Sequence, residues 1–378
     1  MDSQRAVFLH SPEIEQYHYP SDCPFKTERA GMARRILAGM GLLATPRAGE
    51  VAPGPAPRSV LETFHTARYL DTMVRAAQGH LDVEGFAMGF GQPECPVFKG
   101  MYEYAAMACG ATMAGADLVA EGRARVAFNP SGGYHHAGPE TAAGFCYVND
   151  VALACLALAE RGRRVLFLDV DAHHSDGVQN AFYGRRDVMT VSLHESGRTL
   201  FPGTGFEDEM GEGEGYGYCV NLPMPAGTYD EAYLRAFKAV AVPLIGAFDP
   251  DVIVLEVGMD GLAGDPLAHL ALTNNTYADV AQIVLGFGKP VLAVGGGGYH
   301  PENTARGWAL VWSVLVGEDD RDALTLGLGG VMLASTDWQG GLRDRVLAPD
   351  DAKRLAVDRQ IEASIRAIRT HVFPIHGL

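Results

Sequence analysis

The segment LDVDAHHSDG, residues 168–177, places three aspartates and two histidines directly after the apolar run Val165, Leu166 and Phe167. A metal site, a proton relay and the polar end of a strand are the three readings it allows. On an extended strand alternate residues share a face, so Asp169, Asp171 and His173 would lie together, opposite Val170 and Ala172. Two carboxylates and an imidazole on a buried strand end are very unfavourable without a partner cation. Capping of a helix that begins near Val178 accounts for Asp176 but leaves Asp171 and His173 unexplained.

A divalent metal on Asp171 and His173 needs a further ligand. Asp260 is the best candidate, because it too closes an apolar run, VIVLEVGMD (252–260). Two carboxylates, one imidazole and an open position describe a catalytic site, since structural zinc sites are closed and cysteine-rich. Zn²⁺ suits this mixed set, and ligand type alone also admits Fe²⁺ or Co²⁺. Two anionic ligands leave the ion little net charge, so a separate general base is expected.

NPSGGYHHAGPE (129–140) offers that base. His135 and His136 can converge on one substrate only from an irregular loop, which Gly132 and Gly133 permit. A histidine base needs an orienting partner, and Asp169 and Asp176 are free to serve. Taken alone, the paired histidines are a weak signal. GGGGYHPEN (295–303) adds Tyr299, whose hydroxyl could donate to a developing oxyanion. The glycines before it, Gly297 among them as a candidate substrate contact, let the backbone pass close to a ligand. A phosphate-binding reading of the same glycines ranks lower, because no Walker lysine or G-x-G-x-x-G spacing accompanies them.

These residues must be positioned by a scaffold, and the apolar runs suggest one. Stretches 125–133, 163–174, 187–194, 251–260 and 289–299 read as strands, with helical patterns at 97–121, 148–161, 230–247, 275–287 and 302–316 between most of them. Strands alternating with helices predict a three-layer α/β/α domain around a mostly parallel sheet. Ligands in such sheets bind beyond the carboxyl ends of the strands, which is where the polar residues fall. Residues 195–229 read as a long excursion over that rim, and 318–350 as a second irregular stretch. A helix over about 350–371 follows, packed on the outside. The expectation is a single domain over 1–378 with its core at about 20–316.

Composition excludes some functions. A formal charge of −16 argues against a protein that holds nucleic acid by counterion release and favours cationic ligands instead. Cys23, Cys95, Cys109, Cys146, Cys155 and Cys219 lack the paired spacing of zinc ribbons or redox motifs and read as buried thiols. The N-terminal twenty residues show neither a signal peptide nor a membrane anchor, so no membrane partner and a cytoplasmic location are expected.

Taken in order, ECPVFKGMYEY, NPSGGYHHAGPETAAGFCYVNDVALA, FLDVDAHHSDGVQNAFY, VMTVSLH, FPGTG, VGMDGLAGDPL and GGGGYHPENTAR resemble the zinc-dependent histone deacetylase family, which includes bacterial deacetylases and acetoin utilization proteins. The resemblance runs from about residue 20 to 316 and is closest to the class I branch and its bacterial kin. It implies an arginase/deacetylase-like fold and one Zn²⁺ on Asp171, His173 and Asp260. His135, paired with Asp169, and His136, paired with Asp176, would share the general base and acid work. Tyr299 would polarise the amide carbonyl.

Further roles come with the resemblance. Gly144, Phe145 and Phe201 would line a narrow apolar tunnel, with Leu267 at its rim, and Glu94 would grip substrate backbone amides. Structural K⁺ or Na⁺ would sit on Asp169, Ser192 and the carbonyls of Asp171, His173 and Leu193, and on the carbonyls of Phe182, Arg185, Val188 and Tyr218. A cation beside Asp169 would weaken its pull on His135 and favour His136 as the base.

Three departures stand out. HESGRTLFPG (194–203) is one residue longer than the class I pattern, Met259 precedes the ligand Asp260, and Leu267 stands where polyamine-selective relatives carry an acidic residue. The expected substrate is therefore an acylated lysine in a protein or peptide, or an acylated small amine. A homo-oligomer is possible. Two other readings are an arginase-like binuclear manganese hydrolase, for which VGMDGLAGD lacks the D-x-D spacing, and a catalytically silent binding module.

Overall fold

Runs such as VIVLE (252–256) and VLAV (291–294) are buried along their whole length, which requires a sheet covered on both faces. In the computed structural model, which describes residues 6–319 and 341–378, that sheet has eight strands. Residues 1–5 of the N-terminal stretch and 320–340 of the expected irregular stretch lie outside the described residues.

In chain order the strands are β1 (Ala6–Leu9), β2 (Ala48–Val51), β3 (Val126–Asn129), β4 (Val165–Asp169), β5 (Val188–Glu195), β6 (Cys219–Met224), β7 (Val252–Glu256) and β8 (Val291–Val294). Their spatial order is β2-β1-β3-β8-β7-β4-β5-β6, and every pairing is parallel. "Mostly parallel" thus becomes fully parallel. Three strands escaped the sequence reading. β1 and β2 are four-residue pieces, the latter AGEV with no apolar pattern. β1 draws the segment before residue 20 into the sheet. β6 hides in the Gly-, Pro- and Glu-rich excursion and contains Pro223, which an edge strand tolerates because one side of it needs no ladder donor.

The two faces of each strand bury different sets. Phe8, Phe128, Leu166 and Leu168 join a large core with α1 (Glu28–Gly39), the helices Asp230–Phe248, Asn274–Gly286 and Pro301–Leu315, and the C-terminal helix Asp351–His371. Val7, Ala127, Val165 and Phe167 face the helices Met101–Ala120, Asp150–Glu160 and Asp176–Phe182. A third, aromatic-rich cluster including Tyr19, Phe90, Tyr147 and Phe145 lies under the rim loops. All six cysteines are free and buried. Among the described residues no helix is long and apolar enough to cross a membrane.

The sheet order explains where the chemistry collects. Between β3 and β4, consecutive in the chain, stand β8 and β7. Connections leave this point in opposite directions and open a crevice at the strand ends. The loops after β3, β4, β7 and β8 meet there.

Candidate metal centre and histidine pair

β4 and β7 lie side by side with Asp169 opposite Glu256, so the loops that follow start together. The first carries Asp171 and His173, the second Asp260. Ligand atoms of these three buried residues all lie within 4.8 Å of one another. His173 Nδ1 is 2.8 Å from Asp260 Oδ2 and 3.3 Å from Asp171 Oδ1. Backbone donors fix both carboxylates: Ala172 N–H donates to Asp260 Oδ1, His173 N–H to Asp171 Oδ1 and Gly297 N–H to Asp171 Oδ2. Two glycines are obligatory here. An added Cβ on Gly258 would overlap the Asp171 carboxylate, and one on Gly297 would overlap that of Asp260.

Electrostatics shows what the triad lacks. Burial works against a charged His173, yet Asp260 and Asp171 outweigh it and push the imidazole up to about 10. Burial, followed by the charge of Asp171, pushes Asp260 up to about 7. By itself the cluster therefore clings to a proton. One imidazole nitrogen and two carboxylates suit a divalent cation that would take the proton's place.

The second constellation sits beside it. His135 Nε2 is 3.0 Å from His136 Nε2, a convergence of neighbours that needs the irregular loop. Gly133 makes the turn at φ +94°. Asp150 holds that turn by accepting from the Gly133 and Tyr134 N–H groups, and the Asn149 side-chain amide donates to the carbonyls of His135 and Ala137. His136 Nδ1 lies 2.7 Å from Asp176 Oδ1. Asp176 sits in the first turn of its helix, and Ser175 occupies the N-cap position. Burial, then the neighbouring His135, lowers His136 to about 4.

His135 Nδ1 faces Asp169 Oδ2 at 3.2 Å and also Glu256 Oε1 at 3.0 Å. Despite burial, Glu256 and Asp169 hold His135 well above the ordinary histidine range. Glu256 itself is pushed well up by burial, against the pull of His135 and with the push of Asp169. Sequence reasoning missed Glu256, although a carboxylate within the run VIVLE was a usable signal. The expected shared face of Asp169, Asp171 and His173 needs correction as well. β4 ends at Asp169, and the chain beyond it is no longer a strand. Asp169 therefore turns to His135 while Asp171 and His173 face Asp260.

Around the two constellations stand aromatic and apolar groups. The Phe201 ring lies 5.0 Å from that of His136, and the Tyr299 ring is 5.5 Å from Phe145 and 6.1 Å from His173, between centroids. Gly144 and Phe145 adopt φ +53° and +65°, and a Cβ on Gly144 would strike His136. Burial, then Asp260 and Asp171, pushes the Tyr299 hydroxyl well up, which keeps it a donor. Asp265 accepts from the backbone of both Tyr299 and Leu267, and half-buried Leu267 packs on the aromatic cluster. Glu94 touches this wall through its carbonyl, which accepts from Phe145 N–H. Gly297 N–H donates to Asp171 Oδ2 and so helps fix that carboxylate.

The remaining candidates are more scattered. Ser192 Oγ lies 2.8 Å from His194 Nδ1, and the Leu193 carbonyl accepts from Tyr233. Phe182 and Tyr218 carbonyls accept from the Arg185 and Thr190 N–H groups, and Arg185 extends its guanidinium to Asp187. Val188 begins β5. Met259 packs its side chain against Gly307. Glu195, in the longer rim segment, accepts from Thr199 Oγ1 and from His269 N–H, tying that loop to the one bearing Leu267.

Residues 23–315 match the histone deacetylase domain family. The acetoin utilization protein AcuC of Bacillus subtilis is 39% identical over 326 residues, 83% of each chain. Histone deacetylase 8 of Xenopus tropicalis is 38% identical over 320 residues, 84% of this chain and 85% of that one. Rice histone deacetylase 3 is 37% identical over 327 residues, 85% of this chain but 63% of that longer protein. A crystal structure of an HDAC homolog complexed with SAHA superposes with a TM-score of 0.84 at 31% identity, covering 96% of this chain and 100% of that one.

Proposed function

This chain belongs to the histone deacetylase family, and on that footing we propose that it is a zinc-dependent deacylase hydrolysing the amide of an acylated lysine or an acylated small amine. The observation that carries the reading is the convergence of Asp171, His173 and Asp260 beside the His135–His136 pair, with Tyr299 across from them. Zinc held by those three residues would supply Lewis acidity toward the amide carbonyl and toward water.

The chain's own groups divide the proton work. Asp176 on Nδ1 leaves His136 Nε2 as the acceptor, and burial keeps that ring unprotonated at neutral pH, ready to take the proton of the attacking water. His135, backed by carboxylates, holds the proton that the departing amine needs. Tyr299 O–H donates to the oxygen that becomes negative as the carbonyl carbon turns tetrahedral. Phe145, Phe201 and Gly144 flank an alkyl chain, and Leu267 offers it an apolar rim. Leu267 itself offers an acylated polyamine no ion-pair partner there. A structural K⁺ or Na⁺ at Asp169, Ser192 and neighbouring carbonyls belongs to the same proposal.

Acylated lysine peptides compared with acylated small amines by kcat/KM, with metal content measured in parallel, test this reading. One Zn²⁺ per chain and hydrolysis are expected. Full activity in both Tyr299→Phe and His136→Ala would sink it, and two tightly bound Mn²⁺ would favour a ureohydrolase.

A further inference from the structure

β7 is VIVLE, an apolar strand that ends on a fully buried carboxylate between β8 and β4. Neither oxygen of Glu256 has a hydrogen-bond partner, and Oε1 lies 3.0 Å from His135 Nδ1. The Asp169 oxygen on the same nitrogen is slightly farther, 3.2 Å, and also lacks a bond, so both carboxylates sit off the N–H axis. Burying such a group costs stability, and an aliphatic residue would fill the place without that cost. Glu256 shares its place with Asp169, and both carboxylates face His135.

We propose that Glu256 is a positioning residue for His135: with Asp169 it forms a two-carboxylate cradle that keeps the proton on Nδ1 and turns Nε2 toward His136. The two histidines are thereby held differently. His136 has one carboxylate partner, hydrogen-bonded at 2.7 Å, whereas His135 has two, at 3.2 and 3.0 Å from Nδ1. A single off-axis acceptor would let the ring rotate toward it and would draw Nε2 from its 3.0 Å approach to His136. Glu256 is fully buried, so its effect passes through the imidazole.

This inference rests on the deacylase reading for its kinetic arm only. Glu256→Gln keeps the shape and Glu256→Leu removes the polar group. Both should lower kcat, by about tenfold or more, with KM within about twofold, while Tm holds or rises because an unsatisfied buried carboxylate is gone. Ring ¹⁵N spectra of His135, assigned with a His135→Phe control, should report one ordered ring with a protonated Nδ1 in the parent protein and a shifted or broadened Nδ1–H signal in Glu256→Gln. Unchanged ring spectra, or kcat within twofold of the parent, would overturn the proposal, as would a Tm that falls together with kcat. A parent protein that hydrolyses no acylated amine, yet shows the spectral change, would refute the deacylase reading and leave the cradle standing.

Discussion

The rim of the sheet and the belt formed by the C-terminal helix both carry many charges, but the two regions obey different physics. At the rim, Asp169, Asp171, Asp260, Glu256, His135 and His173 are buried, and each depends on a specific partner. Along the belt, Arg235 pairs with Asp358 and Glu362 and Arg354 with Glu231, with side chains a third or more exposed. Water screens the second set and leaves the first at full strength. Charge at the rim therefore governs chemistry, whereas charge on the belt decorates a helix already held by Ile361, Ile365 and Ile368 in the core.

The contrast breaks first at the triad. Asp260→Asn should abolish stoichiometric zinc binding, measured by elemental analysis, and lower kcat/KM by more than about 10²-fold, since even indirect partners of a metal cost 10–100-fold. Retained zinc and activity would move the centre elsewhere. Tyr299→Phe should lower kcat by about 10²–10³-fold with little change in KM, the usual cost of one oxyanion donor. A loss below tenfold would remove the tyrosine from that role.

A pH experiment sharpens the comparison away from the metal. His65 accepts from Asn149 N–H, and burial lowers its pKa from 6.5 to about 4. Between these values the unfolded chain binds a proton that the folded state refuses, so stability falls as pH drops from about 6.5 toward 4 and the loss levels off below. The contribution is at most about 3 kcal/mol. Urea unfolding of His65→Gln against the parent should show a shallower pH slope in that window, and equal slopes would remove His65 from the account. At the other extreme, Arg235→Ala should cost less than about 1 kcal/mol and leave kcat unchanged. A larger loss would mean the belt is not the screened surface it looks to be.

Much of the fold was legible because parallel strands buried on both faces must be apolar throughout. The runs at β4, β7 and β8 announce themselves, and so do helices such as Asp150–Glu160, found within two residues of the expected 148–161. β1, β2 and β6 did not, being too short, patternless or broken by Pro223. Pairing with a neighbour, and not their own propensity, makes them strands.

At the site, residue type carried far: aspartates and histidines at the ends of apolar runs have no inexpensive place except beside a cation or each other. The sequence by itself thus determined which carboxylates and imidazoles gather and at which edge of the sheet. Only the tertiary structure decided how they divide, because partnership depends on which strands lie side by side. Register sets Asp169 beside Glu256 although 86 intervening residues separate them, and that contact gives His135 two carboxylates where His136 has one. It also brings Gly297 N–H to Asp171 and packs Met259 against Gly307.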